Sequence, residues 1–159
     1  MMIESRDESG TREPSDLIAS AIQTEKEAAL FYKMMAEMSS DHETRNTLLV
    51  LAKDETSHAE TLTNLYFEIT GHGVSGSTPT RAEGDPDLFD FPSASHRDAL
   101  EFALQNETNA ADLYQSQAAV TNDRRIATIF RILAETERDH AAYIRLQLSR
   151  LDTQHRSID

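Results

Sequence analysis

Two copies of a short motif suited to metal binding occur in this chain. Each copy is Glu-x-x-His, and the second lies 82 positions after the first. On a helix, side chains at positions i and i+3 share a face, so a carboxylate and an imidazole can bind one cation together. A single glutamate stands 30 residues before each copy. The set predicts six metal ligands: Glu25, Glu55, His58, Glu107, Glu137 and His140.

One such motif alone is usually an exposed helical pair on a solvated surface. The matched duplication, with its two single glutamates, instead follows the ligand pattern of helical bundles that hold two metal ions. Apolar residues at helical spacing surround all six positions, and no lysine or arginine shares that stripe. Because buried carboxylates require compensation by positive charge, metal ions are the simplest partners. We therefore predict a dinuclear site.

Three further residues are candidates for supporting roles. Tyr32 and Tyr114 each follow a single glutamate by seven residues. A phenol there can donate a hydrogen bond to a ligand carboxylate or relay an electron, and core packing is an equal alternative. Asp54 is not a predicted ligand, but it is predicted to accept a hydrogen bond from the ligand His140. The residue at the corresponding position of the repeat is Thr136, which is not a carboxylate. The two metal positions are thus predicted to differ.

The four other histidines are not predicted to be ligands. They fall near predicted helix ends, in the long connection or in the tail, where capping or solvent exposure accounts for them. These residues are His42, His72, His96 and His155.

Composition limits the classes of function. A chain of 159 residues fits one domain and can bury a core without a structural metal or disulfide. The absence of cysteine excludes disulfides, thiolate catalysis and Cys-ligated metal sites. A net charge of -13 disfavours nucleic acid and anionic membranes as partners. The start is polar and acidic, and no stretch reaches the roughly 20 apolar residues of a membrane span. We predict a cytoplasmic protein.

Four segments have apolar residues at the spacing of an α-helix. Almost no part of the chain alternates polar and apolar residues as a β-strand does. The first helix is predicted from about residue 14 to 39, with Ser15 or Asp16 as its cap, after an N-terminal arm at 1–14. The others are predicted at about 42–70, from Ser93 or Ser95 to 120, and at 124–151, with a tail at 152–159.

Residues 71–92 hold four of the five glycines and three of the four prolines, which suits a long crossover. Short turns flank it on either side. Two helix hairpins joined by one long crossover form the ferritin-like class of four-helix bundle. We predict this all-α fold over residues 15–151.

At the six ligands the sequence resembles the ferritin-like superfamily, and within it the rubrerythrin-type di-iron domains. The segments that carry the resemblance are AIQTEKEAALFY, LAKDETSHAETL, FALQNETNAADLY and LAETERDHAAYI. The resemblance implies that Glu55 and Glu137 bridge the two ions. The sequence departs from the rubrerythrin pattern at Ala110, where rubrerythrins have a further glutamate. It also contains no cysteine with which a rubredoxin domain could bind iron. Thr56 stands where bacterioferritin has its haem-ligating methionine, so no haem is expected.

The resemblance implies a di-iron oxidoreductase of the ferroxidase or peroxidase type, with a role in oxidative stress. Two Fe ions are the expected cofactors, with manganese as the competitor. The expected partners are Fe(II) and O₂ or hydrogen peroxide, in a homo-oligomer of two or more chains. The electrons are expected from Fe(II) itself or from a separate electron-donor protein. Alternatives are iron storage or cargo function in a larger assembly, and a bundle that binds metal only structurally.

Overall fold

The computed structural model describes residues 13–75 and 95–156, with the side chains of 154–156 excepted. These residues form four helices: α1 (Pro14–Met38), α2 (His42–Thr70), α3 (His96–Val120) and α4 (Arg124–Arg156). Within the two described ranges no residue is in a β-strand. Most of the predicted N-terminal arm and most of the predicted crossover lie outside these ranges. None of the described helices is long and apolar enough to cross a membrane.

Side-chain caps start three of the helices. Asp41 accepts a hydrogen bond of 2.7 Å from the Thr44 amide at the start of α2. Asp123 accepts from the Arg125 and Ile126 amides at the start of α4. Ser95, one of the two predicted starts of the third helix, forms a reciprocal capping box with Asp98 at the start of α3. These caps satisfy amide groups that have no partner inside the helix.

The predicted cap of α1 is wrong. Helix α1 begins at Pro14, so Ser15 and Asp16 lie within its first turn. The Glu13 carbonyl accepts from the Asp16 amide at 3.0 Å and from the Leu17 amide at 3.2 Å. Proline suits the first helical position because its fixed φ is helical and its missing amide hydrogen needs no partner there.

The ends of α2 and α4 contrast. Helix α2 stops where predicted, since Gly71 adopts a positive φ of 75° and its amide donates to the Phe67 carbonyl. Helix α4 instead continues to Arg156, through part of the predicted tail. No glycine or proline interrupts that segment, and Asp152 pairs with Arg97 of α3. The spacing of apolar residues along a helix cannot predict an ion pair of this kind between two helices.

The described residues fall into two compact units. The first contains residues 13–31 and 52–75, and the second contains 32–51 and 95–156. Apolar residues of α1 and α2 are buried in the first unit, among them Ile18, Ile22 and Leu62. In the second unit α3 packs against α4, and Tyr114 stacks on Phe130 with ring centroids 5.6 Å apart. Each unit therefore has a buried core in which ligand glutamates are embedded.

The Asp41 cap predicts a pH-dependent contribution to stability. Hydrogen bonds from the Thr44 side chain and amide lower the pKa of Asp41 below its ordinary value of 3.8. The charged cap therefore stabilises the fold above that value, and this contribution is lost as the pH falls through the lowered pKa. We expect Asp41→Ala to reduce the free energy of unfolding by about 1 kcal/mol at pH 7. Urea denaturation at pH 7 and pH 3 measures the difference.

Two control variants sharpen this test. Asp41→Asn keeps a good cap and should stay close to wild type at pH 7. Asp112→Ala removes an exposed carboxylate from the middle of α3 and should cost little. An Asp41→Ala penalty as large at pH 3 as at pH 7 contradicts the charged-cap account.

Candidate metal centre

The first unit brings together three of the predicted ligands. Glu25 lies on α1, and Glu55 and His58 lie one turn apart on α2. His58 Nδ1 is 3.4 Å from Glu25 Oε2 and 3.4 Å from Glu55 Oε2. Each of the three residues offers one ligand atom within 4.8 Å of the others. We call these residues the first ligand set.

The second unit repeats this arrangement with the other three. Glu107 lies on α3, and Glu137 and His140 lie one turn apart on α4. His140 Nδ1 is 3.0 Å from Glu107 Oε2 and 3.2 Å from Glu137 Oε2. Their ligand atoms also lie within 4.8 Å of one another. These residues form the second ligand set, so both sequence motifs join the single glutamate that the spacing predicts.

Burial sets these carboxylates apart from the many acidic groups on the surface. At most 3% of each of the four glutamates is exposed: Glu25, Glu55, Glu107 and Glu137. The two histidines are equally accessible, each with 13% of its side chain exposed. Buried carboxylates hold their charge only beside positive charge or hydrogen-bond donors. Each ligand set supplies one imidazole for two carboxylates, which leaves it strongly attractive to cations.

The titration of His140 reflects this attraction. Burial by itself lowers the pKa of His140, but its hydrogen bonds to Glu107 and Glu137 outweigh burial and raise the pKa to about 10. The two carboxylates therefore draw a positive charge to the point where the imidazole meets them. A divalent ion meets the same need with twice the charge.

A buried phenol supports the second ligand set. Tyr32, which is fully buried, donates a hydrogen bond from its hydroxyl to Glu107 Oε1. Asn106 Nδ2 in turn donates to Tyr32 Oη at 2.9 Å. The predicted contact between a phenol and a ligand carboxylate is therefore present at Tyr32. A catalytic role for Tyr32 stays a prediction. Sequence reasoning missed Asn106, because its place directly before Glu107 gives no sign of a contact with α1.

The remaining candidates are less informative. Tyr114 is buried and packs face to face on Phe130, with the rings 16° from parallel. Asp54 is half-buried, and its predicted role beside His140 stays a prediction. The Thr136 hydroxyl donates to the Ile132 carbonyl of its own helix at 3.0 Å.

Three of the other histidines belong to neither ligand set. His42 is exposed, with Nδ1 lying 3.2 Å from Asn46 Nδ2. His72 is exposed and packs edge-on against Tyr66 beyond the end of α2. His96 is the first residue of α3. The side chain of His155 lies outside the described part of the structure.

Comparison with known proteins adds independent support for the fold. The family model described as a ferritin-like domain matches residues 14–150. A hypothetical protein from Pyrococcus furiosus has a similar solved structure, with a TM-score of 0.67 and 23% sequence identity. The alignment covers 89% of this chain and 92% of that one. Among curated proteins, none matches the chain significantly. The predicted fold class, an all-α ferritin-like four-helix bundle, is confirmed.

The contacts of Tyr32 predict a stability effect in the metal-free protein. Tyr32→Phe removes a buried hydroxyl that serves both Glu107 and Asn106, so we expect the free energy of unfolding to fall by about 1–3 kcal/mol. Tyr143→Phe removes an exposed hydroxyl on α4 and should change it by less than about 0.5 kcal/mol. Chemical denaturation of chelator-treated protein measures both. Equal effects of the two substitutions contradict the assignment of Tyr32.

Proposed function

We propose that this chain, which belongs to the ferritin-like domain family, is a non-haem di-iron oxidoreductase that oxidises Fe(II) with O₂ or hydrogen peroxide. The observation that carries the proposal is the pair of matched ligand sets. Each consists of two buried glutamates and one histidine. Structural packing alone gives no reason to bury four carboxylates in one small domain.

The six residues are proposed to act together on two metal ions. The 82-residue offset relates every member of the first ligand set to a member of the second. Helical bundles that bind two iron or manganese ions use two single glutamates and two Glu-x-x-His motifs. By resemblance to the rubrerythrin-type domains, Glu55 and Glu137 are the proposed bridging ligands.

The chemistry of the donors favours iron. Four carboxylates with two imidazoles combine hard oxygen donors with nitrogen donors of intermediate softness, which suits iron and manganese. Soft metals are disfavoured because the chain contains no cysteine. Magnesium is disfavoured because it prefers oxygen and retains its water. The residues present therefore fit a di-iron group, with manganese as the competitor.

The residues contribute charge, orientation and a dry environment. If bound there, two ferrous ions would supply the two electrons that, with two protons, reduce hydrogen peroxide to two water molecules. The buried carboxylates stabilise the higher positive charge that oxidation produces. Tyr32 holds a proton at Glu107 Oε1, and the apolar residues around both ligand sets limit the access of water. Buried alanines beside the ligands, such as Ala52 and Ala103, leave space that larger side chains would fill.

Anaerobic loading with Fe(II), followed by oxidant, tests the proposal. We expect the metal-free protein to bind two Fe(II) per chain and to develop near-ultraviolet ferric absorbance when O₂ or hydrogen peroxide is added. Glu137→Ala should abolish this stoichiometric oxidation, because it removes a ligand that the proposal assigns to both ions. Glu135→Ala removes an exposed glutamate two residues away and should behave as wild type. Comparison of the two oxidants separates ferroxidase from peroxidase activity.

Two results count against the proposal. Iron that binds but never changes its oxidation state indicates a structural metal site. Equal loss of oxidation in Glu137→Ala and Glu135→Ala indicates a nonspecific acidic surface. A large assembly that accumulates many Fe ions per chain would instead favour the storage alternative, and size-exclusion chromatography of the loaded protein detects it.

A further inference from the structure

We infer that a small polar pocket in the second unit binds one hard divalent cation of the Ca²⁺ type, separately from both ligand sets. The pocket has a volume of about 10 Å³, which is room for one water molecule or one ion. No residue that lines it belongs to a ligand set, and the inference does not depend on the proposed function. Two leucines and six polar residues line the pocket, the polar ones being Asp41, Glu43, Thr44, Thr47, Gln147 and Arg150.

The buried amide of Gln147 is the observation that points to a ligand. Only 8% of Gln147 is exposed, and the residue lines the pocket from α4. Within the described residues, nothing forms a hydrogen bond with its side chain. Because an unpaired buried amide is strongly unfavourable, native proteins place water, an ion or another ligand beside one.

Two buried hydroxyl groups make the same pocket rich in acceptors. The Thr47 hydroxyl donates to the Glu43 carbonyl at 3.0 Å, and the Thr44 side chain hydrogen-bonds to the Asp41 carboxylate. Only 3% of each threonine is exposed. Since both hydroxyl protons are already donated, the two oxygens can only accept from a further partner. The ligand must therefore bring positive charge or hydrogen-bond donors.

Two carboxylates favour a cation over a neutral ligand. Asp41 is half-buried and Glu43 is exposed. Hydrogen bonds from the Thr44 side chain and amide lower the pKa of Asp41 below 3.8, so this carboxylate is charged at neutral pH. Carboxylate, hydroxyl and amide oxygens are the donors that Ca²⁺ prefers, and Ca²⁺ accepts them in irregular geometry. Each ligand set contains an imidazole, which this pocket lacks.

Arg150 allows a test of the sign of the ligand charge. It is exposed and also lines the pocket. A guanidinium repels a cation and attracts an anion. Loss of the Arg150 charge should therefore strengthen the binding of a cation and weaken the binding of an anion.

Calorimetric titration of chelator-treated protein with Ca(II) alone tests the inference. The titration is made at pH 8, because His42 and His96 act electrostatically on Asp41 and would oppose a cation when protonated. Glu137→Ala, which lacks a ligand of the proposed dinuclear site, should bind one Ca(II) per chain as tightly as wild type does.

Three variants of the pocket and one control complete the design. Gln147→Leu and Asp41→Asn should each weaken Ca(II) binding by about tenfold or more, and asparagine preserves the cap of α2. Arg150→Gln should strengthen binding by about two- to fivefold. Gln105→Leu makes the matched substitution at an exposed residue of α3 and should leave binding unchanged. Far-ultraviolet circular dichroism checks that each variant is folded.

Four other results overturn the inference. Binding that is lost in Glu137→Ala and kept in Gln147→Leu places the ion at the ligand sets. Weaker Ca(II) binding in Arg150→Gln contradicts a cation beside that residue. Equal affinities of Gln147→Leu and Gln105→Leu contradict a part for the buried amide. Failure of folded wild type to bind Ca(II) leaves the pocket to a water molecule. The di-iron proposal is tested separately, with iron and oxidant.

Discussion

Burying carboxylates in an apolar core costs on the order of several kcal/mol each unless positive charge or donors compensate. This constraint governs the molecule, because four glutamates lie inside a domain whose helices are otherwise stabilised by apolar packing. Each pair of glutamates meets one histidine, which supplies at most one positive charge for two negative ones. Each ligand set therefore holds an excess of negative charge, which a bound cation would offset. An excess of this kind is typical of functional sites, where stability is given up for activity.

The grouping of the candidate ligands could be predicted from sequence because their contacts are local in part. Glu137 and His140 meet through one helical turn, and spacing alone fixes that contact. Helical spacing does not connect the single glutamates Glu25 and Glu107 to their motifs, which lie 30 residues further along the chain. These two residues were predicted from the 82-residue repeat, which relates one to the other. The start of α3 after Ser95 and the end of α2 before Gly71 could also be predicted, because the conformations of these two residues are set by their neighbours.

Other features depend on contacts between distant residues and escaped prediction. The hydrogen bond from Asn106 joins α3 to α1 across 74 positions. The ion pair between Arg97 and Asp152, near the extended end of α4, joins residues 55 positions apart. Local spacing carries no information on either pair. The cap of α1 was predicted wrongly for a different reason, since two good capping residues directly follow a proline that itself suits the first helical position.

Anomalous X-ray diffraction from crystals of the protein soaked in Mn(II) tests the central claim most directly. Manganese accepts the same ligands as iron and does not depend on oxidant or on an electron donor. The account predicts two anomalous peaks per chain, one at His58 with Glu25 and Glu55, the other at His140 with Glu107 and Glu137. Crystals with peaks only at surface carboxylates, or with none at these histidines, would contradict the dinuclear site.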